Sequence, residues 1–151
     1  MKIKLALVTL LLAGSAQAVE VGVTANRDYS QTPDKNGYGI TVGQKAGKAG
    51  LTAGFERYTQ NSNDTNRYSL VAGYDVATFG DLTITPKVGV AFVDPTTTRS
   101  GWQGSVGVGA SYALTKNLAA TVDYRYQSAL QSRVNNFNGS AASAGLRYSF
   151  N

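Results

Sequence analysis

The sequence predicts an all-β protein, an eight-stranded antiparallel up-and-down transmembrane β-barrel preceded by a cleavable signal peptide. Three observations predict it. A short apolar run with a small-residue ending opens the chain; the rest alternates apolar and polar residues in segments of about ten; and the connections between segments alternate long and short. At 151 residues there is room for one domain. The expected organisation is therefore a signal peptide over 1–18 and a barrel over 19–151.

The leader is read from Lys2 and Lys4, the apolar run Leu5 to Ala13, and the ending Ala16-Gln17-Ala18, with cleavage after Ala18. A membrane-spanning helix is the alternative, but it needs roughly 20 apolar residues and this run stops at Gly14 and Ser15. There is no Cys, so neither a lipid-modified Cys nor a disulfide is available. Removing Lys2 and Lys4 lowers the net charge from +5 to +3. That is too mild a balance, with no basic stripe, to indicate nucleic acid.

The eight segments are Val19 to Tyr29, Gly37 to Lys45, Ala49 to Thr59, Asn66 to Val76, Asp81 to Val93, Gly101 to Leu114, Leu118 to Ser128 and Gly139 to Phe150. Long connections are expected at Ser30 to Asn36, Gln60 to Thr65, Asp94 to Ser100 and Ala129 to Asn138. Short ones are expected at Ala46 to Lys48, Ala77 to Gly80 and Thr115 to Asn117. Outer-membrane barrels have short periplasmic turns and longer external loops, so this rhythm places both termini in the periplasm.

One face of the alternation carries Trp102, Val106, Val108, Tyr112; Val122, Tyr124, Tyr126; and Leu146, Tyr148, Phe150. Aromatics fall near the strand ends and aliphatics between them, as lipid requires. Phe55, Tyr68, Phe92, Trp102 and Tyr126 form the expected outer girdle, and Tyr74, Tyr112, Tyr148 and Phe150 the periplasmic one. The opposite face is small and polar, with Gly39, Thr41, Thr52, Gly54, Ser69, Ser105, Gly107 and Gly109. A soluble periplasmic lipocalin-like carrier would reverse the facing. Long charged side chains would then be expected on the polar face, whereas small ones suit the narrow lumen of an eight-stranded barrel.

Charges on the polar face, Glu56, Arg67, Asp75, Lys87, Asp123, Arg125 and Arg147, are expected to form a lumen network. Arg67 is expected one diagonal step from Glu56, and Asp123 close to Arg147 across the last two strands. Buried charges must be matched, because stranding one costs about 3–5 kcal/mol. The network reads either as a polar core that holds the barrel's shape or as a gated ion path.

The mature region as a whole resembles the small outer-membrane β-barrel proteins of the OmpA-domain and OmpX type. Its last strand, Ser143-Ala144-Gly145-Leu146-Arg147-Tyr148-Ser149-Phe150, is similar to that family's carboxy-terminal assembly signal, here carried by Ser143, Gly145, Tyr148 and Phe150. The resemblance implies an outer-membrane location and recognition by the barrel assembly machinery. Asn151 follows the aromatic residue that usually ends the chain, and Pro86 interrupts a central strand, where a bulge is expected.

Catalysis is not expected. The chain has no His, the proton carrier on which barrel acyltransferases, deacylases and omptin-like proteases of that kind rely. With neither His nor Cys, and no phosphate-cradling or calcium-loop spacing, no catalytic, cofactor or metal site is assigned. The expected function is a non-enzymatic structural, envelope-integrity or surface role; the alternative is a narrow porin-like channel for water, ions or small solutes, and the second alternative is the soluble lipocalin-like carrier. Expected partners are outer-membrane lipid and lipopolysaccharide, with Arg57, Arg99 and Arg133 as phosphate contacts or as plain solvated charges. A monomer is expected.

Overall fold

The computed structural model of the chain describes residues 18–30, 33–60, 63–96, 99–131 and 138–150. Residues 1–17 of the expected leader, and Arg133, lie outside the described residues. The strands are β1 (Val19–Asp28), β2 (Lys35–Ala46), β3 (Ala49–Gln60), β4 (Asn63–Tyr74), β5 (Ala77–Phe79), β6 (Leu82–Pro95), β7 (Gly101–Ala113), β8 (Leu118–Ala129) and β9 (Gly139–Phe150). Every neighbouring pair is antiparallel. β4 pairs with β6 and β1 with β9, so the eight long strands close on themselves.

β5 is the lower part of the fourth barrel strand, so nine elements make eight staves. Gly73 faces Lys87 and Ala77 faces Ile84, which puts three residues (Tyr74, Asp75, Val76) opposite two (Thr85, Pro86). This is the bulge expected at Pro86, formed in the facing strand. The Pro86 carbonyl points toward Gly73, so the nitrogen that lacks a proton also faces the interrupted ladder, where its missing hydrogen bond is tolerated.

Register links the staves into a tilted barrel. From Val19 the partners run through Gln44, Leu51, Ala72, Val88, Val106, Tyr126 and Ser140. Ser140 O then accepts from Tyr29 N, so one circuit returns 29 − 19 = 10 residues along β1. A stagger of that size in eight strands goes with a tilt of about 35–45° and an interior just wide enough for side chains.

Two short turns follow from glycine. Gly47 and Gly80 have φ of 59° and 60° and stand first in two-residue connections, Gly47-Lys48 and Gly80-Asp81. Glycine at that position is what a type II′ hairpin needs. The segment Ala77 to Gly80, expected to be all turn, is thus mostly strand. The connection expected over Gln60 to Thr65 also shortens, because Gln60 pairs with Asn63 and only 61–62 lie between.

The facing is as the alternation predicts. Val23, Ile40, Val88, Val106, Val122 and Leu146 project outward and are exposed. Among the described residues the buried set is more polar than apolar and includes Glu56, Arg67, Gln103 and Gln127. An apolar exterior around a polar interior excludes the lipocalin-like alternative. Phe55, Tyr68, Phe92 and Trp102 are successive register partners across β3, β4, β6 and β7. Phe55 and Tyr68 lie 5.3 Å apart, and Phe92 and Trp102 5.4 Å, distances at which rings attract beyond simple area burial.

Candidate functional site in the barrel lumen

Inward-facing positions of all eight staves meet in a lumen with two unlike halves. Near the long-loop end, Glu56 on β3 and Arg67 on β4 are direct register partners, not the diagonal pair expected. The pairing of Gln60 with Asn63 goes with that register. Arg67 Nη1 donates to Glu56 Oε2 at 2.9 Å. Arg125 reaches the same carboxylate from β8, 69 residues away in sequence, with Nη1 to Oε1 at 2.8 Å and Nη2 to Oε2 at 2.7 Å. This fork-on-carboxylate geometry is the strongest an Arg makes.

Tyr58, 2% exposed, completes the cluster. Its hydroxyl donates to Glu56 Oε2 at 3.0 Å and accepts from Arg125 Nη2 at 2.7 Å. Around it, Arg67 Nε donates to Gln103 Oε1 at 3.4 Å, and Gln127 Nε2 donates to Asp28 Oδ2 at 3.1 Å. Val93, Gln103 and Gln127 are each 1% exposed. These side chains crowd the cross-section at the level of Glu56 and Arg125.

Toward the short-turn end the lumen opens into a cavity of about 140 Å³ whose lining runs from Glu20, Lys45 and Arg147 up to Glu56 and Arg125. Three ion pairs stand in its wall. Lys45 pairs with Asp75, Lys87 with Asp123, and Arg147 Nη1 with Glu20 Oε2 at 3.5 Å. Thr85 Oγ1 also donates to Asp75 Oδ1 at 2.7 Å, tying the bulge into the wall. Gly109 makes room for the second pair, since a Cβ there would fall 2.3 Å from Asp123 Oδ1 and 2.8 Å from Lys87 Nζ. A space of this size with charged groups in its wall has room for water.

All seven charges expected in the lumen therefore face it. One expected pairing is wrong: Asp123 lies opposite Ser143 and Arg147 opposite Ala119, so Asp123 takes Lys87 and Arg147 takes Glu20. Glu20, Lys45 and Tyr58 were not anticipated as members. Glu20 and Lys45 share the inward parity of Thr24 and Thr41, so parity carried to the strand ends finds both. Tyr58 has the residue type of the girdle aromatics, but its parity matches that of Glu56.

The remaining assigned residues fall elsewhere. Ser143 and Gly145 face inward on β9, while Tyr148 and Phe150 are exposed outward and stack edge to face at 4.9 Å. They stand opposite Val21 and Val19, on the seam where the last strand closes on the first. Arg57 projects outward and pairs with Asp64, with its side chain 43% exposed. Arg99 is exposed between β6 and β7. The lumen brings neither of them into the charge network. Among the described residues, no cluster of three or more metal-ligating side chains occurs.

A family profile described as outer membrane protein beta-barrel domain matches residues 5–150. A search by sequence among curated proteins finds no match. Among solved structures, Neisserial surface protein A is 19% identical, with 88% of this chain and 96% of that chain covered and a TM-score of 0.67. Ail of Yersinia pestis, in a phospholipid bilayer nanodisc, is 12% identical over 89% and 100%, with a TM-score of 0.55. The outer membrane enzyme PagL is 14% identical over 89% and 99%, with a TM-score of 0.50. Identities this low speak to the fold alone.

Proposed function

The chain belongs to the outer membrane protein β-barrel domain family, and on that premise we propose that it is a non-conducting, non-enzymatic monomer that supports envelope integrity and presents its longer loops at the cell surface. The observation that carries this reading is the crowded cross-section at Glu56, Tyr58, Arg67 and Arg125. A solute crossing there would have to break several charge-assisted hydrogen bonds at once. Three of the four connections at one end, 29–34, 96–100 and 130–138, are longer than those at the other, 47–48, 80–81 and 114–117, which supports a periplasmic position for both termini. The fold does not decide about catalysis, since PagL shares it. The absence of His from this chain does weigh against it.

Two partner readings accompany this one. Tyr148 and Phe150, on the closing strand, are the residues through which the barrel assembly machinery would recognise the chain. Arg57, Arg99 and Arg133 would meet lipopolysaccharide phosphates at the outer rim. For Arg57 that requires sharing its guanidinium between phosphate and Asp64. Lipopolysaccharide should raise the unfolding temperature, and the Arg57→Ala, Arg99→Ala, Arg133→Ala triple variant should lose most of that rise. A narrow channel is the second reading, favoured by the cavity that occupies the other half of the lumen.

Planar-bilayer recording from correctly folded protein separates the readings. Silence is expected. Resolvable, salt-dependent unitary steps from the unaltered protein would overturn the non-conducting assignment in favour of the channel.

A further inference from the structure

We propose that the open half of the lumen binds one small uncharged polyol, held by a wall of hydroxyls on five successive staves. The first ground is hydrogen bonding. Ser143, Thr24, Thr41, Thr52 and Ser69, on β9, β1, β2, β3 and β4, all line the cavity of about 140 Å³. None of their hydroxyls makes a hydrogen bond within the described residues, and none is enclosed by the protein, unlike the Asn26 amide or Ser30 Oγ. They are unspent donors and acceptors with space in front of them.

Glycine builds that space. Thr24 Oγ1 lies 2.8 Å from where a Cβ on Gly39 would stand, Thr41 Oγ1 2.5 Å from one on Gly22, Thr52 Oγ1 2.9 Å from one on Gly43, and Ser69 Oγ 2.7 Å from one on Gly54. Each of these four hydroxyls lies back over the glycine that is its register partner on the adjoining strand, which keeps the wall flat and the volume before it clear. By the roughly 10–15 Å³ that one water needs, that volume offers about ten water-sized places.

The second ground is charge. Every cation lining the cavity already holds a carboxylate of the same wall: Lys45 holds Asp75, Lys87 Asp123, Arg125 Glu56 and Arg147 Glu20. A charged occupant would find no counter-charge left to meet it, and an apolar one would leave the hydroxyls without partners. Water satisfies them one at a time; a hydroxyl-rich molecule satisfies several at once and releases the waters it replaces. Such a site goes beyond the envelope role and needs only the cavity, whether or not the barrel conducts.

The test is solution NMR of the folded protein in lipid nanodiscs, titrated with erythritol, a four-carbon polyol. Amide shifts of Thr24, Thr41, Thr52, Ser69 and Ser143 should move together and saturate, whereas acetate and methylammonium at the same concentrations should leave them unmoved. Thr41→Val with Thr52→Val keeps the shape of both side chains, removes both hydroxyls, and should weaken erythritol binding roughly tenfold or more. Ser143→Leu, which fills the cavity from another stave, should abolish the response. Shifts that grow without saturating, or that scatter over the loops, would mean that the cavity holds water alone and would overturn the proposal. So would an equal response to acetate or methylammonium, or an unchanged affinity in either variant. The titrations of the unaltered protein decide the matter even if a variant fails to fold.

Discussion

The two halves of the lumen both pair acids with cations, to opposite effect. Near the long loops, one carboxylate is shared by two guanidiniums and a phenol, and the Arg67 and Glu56 side chains are only 4% and 8% exposed. Near the short turns, each acid has its own cation, and Lys87 and Asp123 remain 31% and 22% exposed around a space that admits water. Shared, desolvated charges lock together neighbours that no pairwise contact would hold. Pairs in contact with water mainly keep a polar wall polar, and each is worth little by itself.

The largest difference between the halves should come from removing the shared carboxylate. Glu56→Gln keeps the volume but strands Arg67 and Arg125, and should cost about 3–5 kcal/mol. The measurement is the urea midpoint of the folded, fast-migrating band in lipid vesicles. An unchanged midpoint would mean that water already reaches the cluster. For scale against the lipid face, Val122→Arg, outward and exposed mid-strand, should cost about 2–4 kcal/mol in the same assay.

Glycine substitutions sharpen the contrast. A Cβ at Gly37 would fall 2.4 Å from the Arg57 carbonyl and 2.8 Å from the Tyr58 ring, neither of which can move freely. Gly37→Ala should therefore cost about 1–3 kcal/mol through overpacking. Gly109→Ala collides only with the ends of Lys87 and Asp123, which can swing into the cavity, so its loss should be clearly smaller. The smallest effect is expected from Lys87→Met with Asp123→Asn, about 1 kcal/mol or less. Equal losses from the two glycine variants would show that the open half is as rigid as the filled one.

What the sequence determined is whatever depends on the period-two alternation: eight staves, the apolar exterior, and the inward direction of all seven assigned charges. These survive errors in strand ends because parity does not depend on where a strand stops. Partner choice does depend on it. A connection of 61–62 in place of 60–65 puts Arg67 squarely opposite Glu56, and the register of β8 against β9 separates Asp123 from Arg147. Contacts across the lumen leave no local trace at all. Arg125 meets Glu56 at a separation of 69 residues because closure with a ten-residue stagger brings β8 and β3 face to face, and only the closed barrel decides which charges are shared and which are merely paired.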